Sequence, residues 1–137
     1  MEKKYEKLLD EWQERLGLQD WLIWLRYGCK PEDFDGERDG ECRFTSESKQ
    51  AHIRIIDENL YSGMLDYDFE YILVHELLHI KFNLLECGSQ LYEGVVTEAL
   101  RHQILDDLAR ALVMAKRGET KRQLGKDVKR IINYEVK

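Results

Sequence analysis

Val74-His75-Glu76-Leu77-Leu78-His79 is the stretch on which the reading of this chain turns. His75 and His79 are four residues apart, so on an α-helix their imidazoles leave one face a single turn apart and can share one metal ion. Glu76 stands beside that pair, where a carboxylate can take the proton of a water whose pKa zinc has lowered toward neutrality. The pattern implies metal-dependent hydrolysis, with His75 and His79 as zinc ligands and Glu76 as general base.

The flanking runs support a helix. Phe69-Glu70-Tyr71-Ile72-Leu73-Val74 before the motif and Ile80-Lys81-Phe82-Asn83-Leu84-Leu85 after it contain no Gly or Pro. Together they predict one long, largely apolar helix that ends at Gly88. Such a helix is expected to be buried, and three ionisable groups on it are costly unless they serve a shared purpose.

A second helix is predicted from about Tyr92 to Lys116. At 100° per residue, Val95, Glu98, His102, Leu105, Leu108, Ala109, Leu112 and Val113 fall on one arc, which should face the core. Glu98 and His102 are thus ionisable residues four apart on an apolar face, and one of them is expected to complete the metal site. His102 is preferred as third ligand and Glu98 competes with it. An imidazole on that arc has few other duties, and Asp106, one turn on, could accept its second ring N–H.

The rest of the chain reads as a small α+β domain spanning residues 1–137. At 137 residues and 43% hydrophobic content it can bury a sizeable core. Tyr5, Leu8, Leu9, Trp12 and Leu16 follow helical spacing and predict an amphipathic N-terminal helix stopping at Gly17. Trp21 to Tyr27 reads as a strand apolar on both sides, with Trp12, Trp21 and Trp24 assigned to the core. Pro31 to Gly40 is read as an exposed acidic loop. Glu41–Thr45 and Ala51–Ile56 are expected to pair antiparallel across the turn at 46–50, giving a small three-stranded mixed sheet. His52, on that last strand, has no ligand spacing to any other residue and is read as an ordinary strand histidine. Tyr61, Tyr67 and Tyr92 are phenols that could stabilise an oxyanion, and no role is assigned to them.

Composition limits location and partners. No run of eighteen apolar residues exists, so no membrane span is expected, and Met1 to Lys7 lacks the apolar core of a signal peptide; a cytoplasmic location follows as the expectation. Cys29, Cys42 and Cys87 are odd in number and form no Cys-x-x-Cys pair, so they are read as reduced thiols. Residues 116–137 carry eight Lys or Arg against three acidic residues, a balance of +5, which leaves −11 on residues 1–115 of a chain whose formal charge is −6. Gln123, Leu124, Val128, Ile131 and Ile132 recur at helical spacing in this basic segment. It therefore reads as a last helix with a charged solvent face, and nucleic-acid binding through it is not expected.

The order of elements and the motif resemble the minimal zincins, compact metallopeptidases in which one helix carries His-Glu-x-x-His and a following helix supplies the third ligand. The resemblance covers most of residues 5–115. It is closest to small cytosolic and phage-encoded members, including SprT-like proteins and the metallopeptidases that cleave phage repressors. Laid on the repressor-cleaving pattern, His102 stands where that family has Glu, a departure that agrees instead with the His ligand of SprT-like proteins. Thermolysin-like and aminopeptidase families use a Glu at about the position of Glu98. No His-x-x-Gly-x-x-His element is present, which excludes the metzincins. The resemblance implies a zinc peptidase acting on protein or peptide substrates, with Ala51–Ile56 as the strand bordering the cleft and its free edge open to substrate. The alternative is a zinc-stabilised, catalytically silent adaptor of the same fold.

Overall fold

The computed structural model describes residues 2–83 and 95–118, with the backbone alone for residues 2 and 95–99. The chain begins with helix α1 (Glu2–Arg15) and continues through strand β1 (Leu22–Cys29), strand β2 (Gly40–Thr45) and strand β3 (Gln50–Ile56). Helices α2 (Phe69–Lys81) and α3 (Val95–Arg117) follow, and single 3-10 turns occupy Pro31–Asp33 and Glu58–Leu60. This is the expected α+β domain with a three-stranded mixed sheet. The basic segment from residue 119 on, its expected helix, and Gly88 and Tyr92 lie outside the described residues.

Helix α1 stops where glycine permits a left-handed turn. Gly17 has φ +69°, and the Leu18 N–H donates to Gln13 O at 2.7 Å while the Gly17 N–H donates to Glu14 O at 3.1 Å. That pair of bonds satisfies the carbonyls a helix end leaves open. Gln13 Nε2 then donates to the carbonyls of Leu18 and Trp21, which ties the turn to the start of β1.

In the sheet, β3 lies between its neighbours, parallel to β1 and antiparallel to β2. Alternation along β3 buries Ala51, Ile53 and Ile55 completely against the helices and turns His52 outward. Strand β1 departs from expectation. It is covered on one side only: Leu22 is 54% and Trp24 44% exposed, so Trp24 is not a core residue, whereas Trp12 and Trp21 are. The segment from Pro31 to Gly40 also differs, since Phe34 is buried against Cys29 and Ile56, and Gly40 already belongs to β2.

Helix α2 is the centre of the molecule. Phe69, Ile72, Leu73, Val74, Leu77, Leu78 and Ile80 are all buried, which explains an apolar pattern without a polar stripe. It packs on β2 and β3 on one side and on α1 and α3 on the other. Its N-cap is Asp68, whose carboxylate accepts from the Tyr71 N–H. The helix ends at Lys81 rather than at Gly88, with the Phe82 N–H closing the last turn on Leu78 O.

A buried carboxylate fastens the three helices at one end. Glu70, 7% exposed, accepts from Trp12 Nε1 of α1 at 2.7 Å, from Lys116 Nζ and from Arg117 Nη2 of α3. Lys116 reaches Glu11 as well, and Arg117 forks onto Asp68 at 2.8 and 3.0 Å. A charge this deep is tolerated because every partner is in place. Glu70→Ala should therefore cost about 3 kcal/mol in urea unfolding, by leaving buried donors without an acceptor. Arg117→Ala, at a guanidinium about one-third exposed, should cost under about 1 kcal/mol.

Candidate metal centre

Helices α2 and α3 run antiparallel, and the contact that fastens α3 to Glu70 at its C-terminal end brings His102 onto the His75/His79 turn at the other. The ring centroids of His75 and His79 are 5.1 Å apart, those of His79 and His102 5.2 Å, and those of His75 and His102 6.0 Å with the rings nearly parallel. One nitrogen of each lies within 4.8 Å of the others. The three preferred ligand positions thus converge on one point. The side chain of the competing Glu98 lies outside the described residues.

Three imidazoles with an open side suit a catalytic zinc site, where three protein ligands leave a position for water or substrate. His75 carries a further feature of such sites. Its Nδ1 lies 2.6 Å from Asp106 Oδ1, which would leave Nε2 for a metal. Asp106 was expected to serve His102, but Asp106 lies one turn beyond His102 on α3, and the antiparallel crossing sets it against His75 instead. The same oxygen accepts from Tyr71 Oη at 2.8 Å. Burial pushes the Asp106 carboxyl up, but bonds from His75 and Tyr71 outweigh it and hold the group below the usual carboxylate range. Tyr71 is pushed well above an ordinary phenol by burial and by that carboxylate. Arg110 stacks 5.0 Å above its ring.

Glu76 is 5% exposed, and burial raises its pKa against the lowering influence of His75, His79 and Arg38. A carboxylate with a raised pKa is suited to hold a proton transiently. Its position depends on Gly40 of β2. A Cβ at residue 40 would lie 2.9 Å from Glu76 Oε2 and 2.9 Å from Ile72 Cγ2, so the strand can come this close to the helix only where no side chain intervenes. The role of Gly40 was not read from the sequence, where a glycine after an acidic loop looks like an ordinary strand boundary.

These groups line an open cleft of about 430 Å³ that also includes Arg38, Asp39, Cys42, Ile72 and Arg101. Burial, then the charge of Asp106, raises the pKa of Asp39. The strand on the cleft is β2, not Ala51–Ile56 as the resemblance implied: β3 is hydrogen-bonded on both sides and has no free edge. The bond from Ile56 N–H to Asp39 O sets the phase of the antiparallel ladder. Residues 41, 43 and 45 therefore bond toward β3, and the backbone groups of Gly40, Cys42 and Phe44 point away from it. His52 lies on the far side of the sheet, stacked on Trp24, and is not a ligand. Tyr67 donates to Ile56 O and packs on Tyr61, a structural use of both phenols.

Comparison with protein-family models, with curated proteins and with solved structures finds no match to this chain.

Two outcomes follow from this geometry. Asp106→Asn should weaken zinc affinity by about 10- to 100-fold in chelator competition, because the ring it orients loses its anionic partner. For Glu76, a folded-state pKa raised above the ordinary 4.5 means its stabilising protonated form is fully present below pH 4.5 and lost as pH rises through the folded value. In chelated protein, Glu76→Gln should therefore raise Tm at neutral pH, and the gain should vanish on acidification to about pH 4. An equal Tm difference at both pH values would show that Glu76 pays no penalty for its charge.

Proposed function

We propose that this protein is a zinc-dependent peptidase. The observation that carries the reading is the convergence of His75, His79 and His102 on one point in an open cleft, with buried Glu76 beside them. Spacing along one helix accounts for the first two; the third arrives from a separate helix, and a core that needed only packing would not place it there.

The donor set fits zinc, and His75, His79 and His102 would hold it. Bound there, the ion supplies Lewis acidity, lowering the pKa of a water and polarising a substrate carbonyl. Glu76 takes a proton from the attacking water and returns it to the leaving amine, and its raised pKa matches the two halves of that transfer. Asp106, whose Oδ1 lies 2.6 Å from His75 Nδ1, would orient that ring. The outward N–H and C=O groups of Gly40 and Phe44 would align an extended peptide by strand addition. An antiparallel substrate strand there would lie along the cleft past Glu76, which favours a peptide over a compact small molecule.

Glu76→Gln protein should retain zinc while turnover of a broad peptide library falls by on the order of a hundredfold or more. His102→Ala should lose zinc as well as turnover, and Glu98→Ala should keep both. Full hydrolysis by purified Glu76→Gln protein would remove the general base from the scheme. Greater loss of zinc in Glu98→Ala than in His102→Ala would reassign the third ligand.

A further inference from the structure

The outer face of the sheet is a second surface, on the side away from the helices and the metal cleft. Register sets two cross-strand rows on it: Trp24, His52 and Arg43, and next to them Arg26, Arg54 and Glu41. We propose that this face binds single-stranded nucleic acid, with Trp24 as a stacking platform for a base and Arg26 and Arg54 as phosphate contacts.

Trp24 is 44% exposed, although an indole of this size is ordinarily drawn into a core. Its orientation is fixed by His52 on the neighbouring strand, 4.6 Å away with the rings within 10° of parallel. The two rings and the stems of Arg26 and Arg54 border a shallow hollow of about 270 Å³. An oriented aromatic on an open sheet offers stacking that any base can use.

The face gathers arginines on a body that is acidic overall. Residues 1–115 carry a formal −11. Of the three arginines in the two rows, Arg43 is taken up by buried Glu41 and by Asp35 of the preceding loop, which leaves Arg26 and Arg54. Arg54 donates to the carbonyl of Asp33 and makes no ion pair with a carboxylate among the described residues. Arg26 is exposed and pairs with no carboxylate among the described residues. Basic groups around an aromatic, on an otherwise acidic domain, complement a polyanion with flat rings.

An acidic peptide would use the arginines but would have no use for Trp24, so the nucleic acid is the better fit. Double-stranded DNA is disfavoured by shape, since reading its major groove needs a protruding helix or ribbon. From residue 22 to 26 the face measures roughly 13 Å along the strand and roughly 10 Å across three strands, room for two or three nucleotides. No such binding was expected of the basic segment at 116–137, and the proposal is independent of the metal centre.

The test is fluorescence polarisation with a labelled oligothymidylate of roughly 12 nucleotides and the full chain. Binding should weaken roughly tenfold between about 50 mM and about 200 mM salt, the slope of two or three released counterions. It should also quench tryptophan emission, since Trp12 and Trp21 are buried and Trp24 is the indole a base can reach. Trp24→Ala should lower affinity about tenfold, Trp24→Phe should retain most of it, and Arg26→Glu should lower it about tenfold. Arg26 is exposed, so its variant stands even if Trp24→Ala fails to fold by circular dichroism. No binding at the lower salt would overturn the proposal. So would binding that all three variants leave unchanged, which would point to the basic segment. Poly-glutamate competing as well as the oligonucleotide, with Trp24→Ala indistinguishable from wild type, would overturn it in favour of an acidic-peptide surface.

Discussion

The antiparallel crossing of α2 and α3 is the contact on which the rest of this structure depends. It is held at three levels: His102 against His75 and His79, Asp106 against His75 and Tyr71, and Lys116 with Arg117 against Glu70. Between these polar levels Leu105, Ala109 and Val113 are buried, and Ala109, with no accessible surface, lets the helices approach closely. Apolar packing alone would allow α3 to slide or rotate by a ridge. The charged contacts at either end penalise such slippage, because a shift by one residue would leave Glu70 without its cations and Asp106 without its imidazole. The stability of the fold and the geometry of the site are therefore set by the same register.

A second constraint comes from the sheet. β2 reaches α2 through Gly40, and the absence of a side chain there lets the strand edge stand beside Glu76. Had the edge been β3, as the family resemblance implied, an added strand would be separated from Glu76 by the width of another strand, about 4.8 Å. With β2 outermost among the described strands, its edge and Glu76 border one cleft. The sheet order β1-β3-β2 is thus a functional matter as well as a topological one.

Much of this was legible in the sequence, for identifiable reasons. Spacing of four within an apolar run located His75, Glu76 and His79, and a helical wheel separated His102 from the polar face of α3. The paired strands and the Gly17 stop were readable because turns need particular residues. What was missed depends on how elements cross. Asp106 is one turn from His102 along its own helix, so local spacing assigned it there, whereas tertiary contact assigned it to His75. Glu70 looked like a polar interruption in an apolar run because its partners lie 46, 47 and 58 residues away. Trp24 looked like core because composition does not say which side of a sheet is covered. The end of α2 at Lys81 escaped because Asn83, whose Nδ2 caps Ile80 O, is an ordinary residue in a helical pattern.

The burial of Glu76 links metal binding to the fold. The chain takes a carboxylate to 5% exposure and gives it imidazoles for neighbours, with Arg38 the cation acting on it from the loop before β2. Burial raises the pKa of that carboxyl, so its charged form is disfavoured where no cation stands beside it. A divalent ion among His75, His79 and His102 would sit close enough to favour the charged carboxylate, shifting Glu76 toward the base that hydrolysis requires. The same ion would couple its binding free energy to the α2–α3 crossing, since two ligands come from one helix and the third from the other. Under the proposed function, the buried carboxylate that makes the ligand-free domain less stable is the one that a bound cation would turn into a base.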